Sequence, residues 1–206
     1  MLGKVNLKGR SGFTLIELAI VLIIIGLILG AVLKGKDLIE GAKIKKVYTQ
    51  FIEGWELAIE NYYDRTGQLL GDGTKNGGTT DPPDGKFDSI YLAKTENCDK
   101  IVKRLKAVGL SAPTTNTGNP GTYFINAKYG RATMEAGLYP VKSNTDNTVH
   151  NVIYIHGVPT DVAIALDTII DGTADGQHGL FRRRPDNSDW PDASQEKAVN
   201  VMYIYK

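Results

Sequence analysis

Glu17 is the one charged side chain in a stretch that is otherwise free of charge from Phe13 to Leu33. A carboxylate inside a bilayer costs roughly 2.5–3.5 kcal/mol on insertion scales unless it is paired, so a functional role is the default reading. Its natural partner is an amine. A cut between Gly12 and Phe13 would create an α-amino group four residues before Glu17, on the same helix side or on a neighbouring copy.

A second set of residues offers metal chemistry. Asp72-Gly-Thr-Lys-Asn76-Gly77 presents oxygen ligands at alternating positions with glycine at the sixth, as an EF-hand loop begins, but Pro83 stands where the bidentate glutamate is required. Asp81, Asp84 and Asp88 follow, so Asp72, Asn76, Asp84 and Asp88 are candidate calcium ligands in an irregular loop, with a solvated turn as the alternative. Two further acidic clusters, Asp167/Asp171/Asp175 and Asp186/Asp189/Asp192, read as caps and turns or as another calcium site. Trp190, in the last of these loops, is either a contact residue or a lid on a small core.

Catalysis finds no support. His150, His156 and His178 have no metal-ligand spacing, and Ser111, Ser143 and Ser188 lack a nucleophile elbow. Cys98 has no electropositive neighbours in sequence and reads as a small buried hydrophobe; as the lone cysteine it cannot form an intramolecular disulfide. No glycine-rich stretch follows a strand and opens a helix as a phosphate loop does. The chain is expected not to be an enzyme.

The elements that position these groups begin with a basic leader. Lys4, Lys8 and Arg10 have no acid beside them, and loss of residues 1–12 would take the net charge from +1 to −2, a balance that argues against nucleic-acid binding. Those charges hold the N-terminus in the cytoplasm by the positive-inside rule and leave the C-terminal part outside. Phe13–Leu33, about 21 residues, spans roughly 31 Å as a helix at ~1.5 Å per residue, enough to cross a bilayer core of about 30 Å. An ordinary secretory signal has a shorter apolar region followed by a small-residue cleavage site. Beyond Leu33 the apolar positions Ile44, Val47, Tyr48, Phe51, Trp55, Ala58, Ile59 and Tyr62 recur at three- and four-residue steps, which predicts one helix from about Thr14 to Asp64. Gly26 and Gly30 form a Gly-x-x-x-Gly pair suited to close helix packing.

Gly12-Phe13-Thr14-Leu15-Ile16-Glu17 and the run Leu18–Leu33 resemble the class III signal of type IV prepilins and type II secretion pseudopilins, over about residues 9–67. The resemblance implies that prepilin peptidase cuts after Gly12 and that Phe13 is N-methylated. It also implies that Glu17 pairs with the amino terminus of an adjacent subunit during assembly. Implied partners are other pilin or pseudopilin subunits, an inner-membrane assembly platform and, before assembly, membrane lipid. Acidic metal-binding loops are frequent in the heads of such proteins, which adds to the calcium reading.

The rest of the chain predicts helices over Thr95–Val108, capped by Thr95 or Asn97, and Thr160–Ile170, capped by Thr160 or Asp161. Strands are predicted over Thr122–Tyr129, His150–His156, Val199–Tyr205 and Leu180–Arg183. The expected fold is α+β and pilin-like, a long N-terminal helix under a small antiparallel sheet. Leader 1–12, transmembrane and assembly helix 13–33 and extracytoplasmic head 34–206 are the expected divisions. The expected function is structural, a subunit of a pilus or pseudopilus, its large head favouring a minor component. The chain would lie in the bacterial inner membrane with the head in the periplasm, and then in the filament. The alternative is a binding or enzymatic domain that uses residues 13–33 only as a tether, which gains nothing from Glu17.

Overall fold

The computed structural model describes residues 13–185 and 188–205. Two units are distinguished, Met1–Ala42 and Lys43–Lys206. Of the residues singled out above, Gly12, Lys4, Lys8, Arg10 and Asp186 lie outside the described residues.

One continuous helix covers Leu15–Thr66. It comprises α1 (Leu15–Val47), a single π-helical stretch (Tyr48–Ile52) and α2 (Glu53–Thr66). Gly67 ends it in the left-handed conformation at φ 67°, its N–H donating to the Tyr63 carbonyl. That is the position where a residue without Cβ is favoured. The sequence predicted the apolar stripe and missed the π stretch. A wider turn admits about one extra residue, so both Phe51 and Ile52 reach the core and the stripe then continues through Trp55, Ile59 and Tyr62.

In the second unit the sheet follows the order β1 (Ile90–Tyr91), β3 (Gly130–Lys142), β4 (Val149–Pro159), β6 (Ala198–Ile204), β5 (Phe181–Arg184), all antiparallel; β2 (Thr122–Ala127) also pairs with β3. One face presents Met134, Leu138, Ile153, Ile155, Val201 and Phe181 to the helical stripe. On the other, Val141, Val152, Met202 and Ile204 form a smaller buried cluster beneath Tyr139 and Tyr154. Helix α3 (Thr95–Ala107) adds Ile101 and Leu105 to the main core, and α4 (Thr160–Asp171) adds Val162, Ala163 and Leu166.

The two short helices form where periodicity placed them, but Lys94 and Pro159 occupy their caps and neither supplies a side-chain bond, correcting the expected caps. Strand β3 was not legible in the sequence at all. Gly137 breaks its pattern because a Cβ there would meet the Tyr139 ring at 2.2 Å and the Ile90 carbonyl oxygen at 2.9 Å. Pro140 is tolerated because β1 and β2 pair with β3 only up to Leu138, leaving its flank there without a ladder to donate into.

Candidate functional site

The first helical turn is built as a capping box. Thr14 precedes α1 and accepts a hydrogen bond at Oγ1 from the Glu17 backbone N–H at 3.3 Å, while Glu17 Oε2 accepts from the Thr14 N–H at 2.8 Å and its hydroxyl at 2.9 Å. The residue types Thr-x-x-Glu are the signature of this reciprocal bond, a local signal separate from the charge of Glu17. The box gives the carboxylate local partners at the N-terminal end of the helix.

Around it the helix exposes only apolar surface. Leu15, Leu22, Leu27 and Leu33 are 87%, 69%, 70% and 67% exposed, although these are residue types that ordinarily make a core. A window of mean hydropathy 3.0 within Leu15–Thr66 has none of its residues buried, and by length and composition the helix is able to cross a membrane. Contiguous apolar exposure on this scale marks a membrane or protein-binding surface. At Gly26 and Gly30 an added Cβ would meet nothing within 4 Å, so both leave backbone open to a close neighbour.

Residues 7–33, which contain this turn and this surface, match the family model of the prokaryotic N-terminal methylation motif. The chain carries a type IV prepilin-like class III signal. That signal marks a pilin- or pseudopilin-like substrate of prepilin peptidase, of the kind that is assembled into a polymer, and it fits a chain anchored in the inner membrane by its apolar helix. No curated protein and no solved structure matches the chain. The α+β, pilin-like arrangement expected from the prepilin-like signal is present, a long N-terminal helix with an antiparallel sheet.

The candidate calcium ligands lie in one loop, and protein groups engage each of them. Asp72 accepts from the backbone N–H groups of Asp84 and Gly85 at 3.1 and 2.8 Å. Asn76 donates to the Asp72 carbonyl and accepts from the Tyr62 hydroxyl. Asp84 pairs with Lys86 at 3.0 Å, and Asp88 Oδ2 alone accepts from Gly73, Thr79 and Thr80 at 3.1, 2.7 and 2.8 Å. Each carboxylate ties the loop to itself. Among the described residues no three His, Cys, Asp or Glu side chains are grouped to hold a metal.

Other candidates are taken up structurally. Trp190 is a lid: it packs on Phe181 at 6.1 Å between ring centroids and donates Nε1–H to Asp167 Oδ2 at 2.7 Å. Asp167 is wholly buried, and burial raises its carboxyl to about pKa 7, against the lowering effect of the Trp190 and Asp175 donors. His150 and His178 pair with Asp146 and Asp175, each at 2.8 Å. His156 sits between the rings of Tyr91 and Tyr154. Cys98 is buried and its thiol is pushed up by desolvation, the environment of a packing residue.

Proposed function

We propose that this chain is a structural subunit of a type IV pilus or a type II secretion pseudopilus, polymerising through its N-terminal helix. The observation that carries the reading is Glu17, a carboxylate held at the start of an exposed apolar helix inside a prepilin-like signal. A membrane tether needs no acid there. Prepilin peptidase cuts between Gly12 and Phe13 and methylates the new amino terminus. The carboxylate, already oriented by Thr14, then pairs with the Phe13 amine of an adjacent subunit. Transfer from lipid to a filament core exchanges one apolar surrounding for another, so packing along Gly26 and Gly30 and the ion pair set the register. The head faces the periplasm and performs no catalysis.

Glu17→Ala tests this. Mass spectrometry should find the variant cut at Phe13 and inserted in the membrane like the parent, while sheared filaments contain none of it. Normal incorporation would overturn the assigned role, and an N-terminus after Leu33 would overturn the processing reading. Gly12→Val should leave the precursor uncut.

A further inference from the structure

The head's own part of the helix carries its charge in two bands. From Lys43 to Ile52 the charged side chains are Lys43, Lys45 and Lys46, and from Glu53 to Asp64 they are Glu53, Glu56, Glu60 and Asp64. Steps of three, four and four residues put the acids on one face of α2. Within a single chain this is a poor arrangement. Like charges four residues apart repel, and a helix C-terminus disfavours negative charge. Glu56 accepts a bond from the Tyr203 hydroxyl. Among the described residues no ion pair relieves Glu53, Glu60 or Asp64, and none engages Lys43, Lys45 or Lys46. The negative field of this face reaches the end of β6, where burial and then Glu60, Glu56 and Asp64 push the Tyr205 hydroxyl up to about pKa 12.

Each band has an apolar companion. Leu57, on the acidic face between Glu53 and Glu60, is 49% exposed. Lys43 and Lys46 flank an open groove of about 200 Å³ whose walls include Val47, Tyr123 and Phe124, the last partly exposed. One patch is a ridge with an apolar knob among acids. The other is a cleft with apolar walls among bases.

We propose that the two patches are the halves of one head-to-tail interface between copies of this chain, the Glu53–Leu57–Glu60–Asp64 ridge of one copy seating on the Lys43–Lys46–Phe124 groove of the next. The proposal rests on the filament reading above and names the surfaces and the partner. Because the halves differ and lie displaced along one helix by about 7–21 residues, roughly 10–32 Å, the contact is heterologous. A heterologous contact whose rotation does not close into a ring propagates as an open filament. A chain that can follow itself has the property a repeating subunit needs, whereas head size alone pointed to a minor one.

The test uses the full chain in cells with the assembly machinery. With Leu57→Cys and Phe124→Cys, oxidation should give a ladder of disulfide-linked multimers, since Cys98 is buried and does not compete. On that background Lys43→Glu with Lys46→Glu, or Glu60→Lys with Asp64→Lys, should each reduce ladder and filament yield by at least about tenfold, as facing like charges repel. All four reversals combined should restore both. The combined variant also guards against misfolding, which it would inherit from its parents, while a pairing defect is repaired. Reversals without effect, or a combination no better than its parents, overturn this interface and leave the filament reading standing. A parent chain cut at Phe13 that yields neither ladder nor filament overturns both.

Discussion

Leu27 and Ile59 belong to one helix and to one class of residue, yet the first is 70% exposed and the second fully buried. The apolar part through Leu33 is uniform around its circumference and finds no partner among the described residues. The part from Val47 onward is apolar on one side only and meets a sheet made by the same chain. An all-round apolar helix is designed for surroundings that the chain does not itself supply, and a one-sided helix for surroundings that it does. Assembly and fold are thus written on different stretches of a single element.

Cutting one side chain from each stretch and measuring thermal unfolding of the detergent-solubilised protein should separate the two. Trp55→Ala removes the largest fully buried side chain and the bond from its indole to the Pro120 carbonyl, and should destabilise the head by about 3–5 kcal/mol. Leu27→Ala should leave head unfolding unchanged and lower filament yield instead. Equal effects on unfolding would erase the distinction.

Next in size is the acidic loop. Asp88→Ala deprives three backbone N–H groups of their acceptor and should cost about 1–3 kcal/mol. A chelator should leave the parent's melting curve where it was, because the carboxylates are already engaged by N–H donors. A fall in Tm on chelation would show instead that a bound cation stabilises the fold.

Asp167 should give the head a pH signature. Its folded pKa of about 7 lies above the ordinary carboxyl value of 3.8, so the stability it contributes is complete below about pH 4 and is lost as pH rises through 7. Asp167→Asn should flatten that slope. Above pH 7 it should stabilise by about 1–3 kcal/mol, since it removes a buried charge that Asp171 opposes. A variant with the parent's pH profile would place the titration elsewhere.

The smallest expected effect is at the first turn. Thr14→Ala removes one half of the capping box and should fray α1 by about 0.5–2 kcal/mol, seen as faster amide exchange over residues 15–18. Thr14→Ser keeps the hydroxyl and should restore protection. Loss of protection in both would mean that the methyl group matters more than the bond.

Local chemistry made part of this protein readable before any fold was known. The class III signal is contiguous, and the helical stripe from Ile44 to Tyr62 repeats at steps of three and four residues, so both were visible in order along the chain. Strand β3 was not: its register with β1, β2 and β4 draws on partners up to dozens of residues away, and Gly137 and Pro140 make sense only beside Tyr139, Ile90 and the end of β1. The same holds for the carboxylates. Composition located an acid-rich loop at Asp72–Asp88, but whether an oxygen faces a cation or an N–H group depends on how the loop closes. Periodicity and motif are properties of neighbours along the chain and can be read there, whereas ligation and strand pairing are properties of neighbours in space and emerge only once the chain has folded.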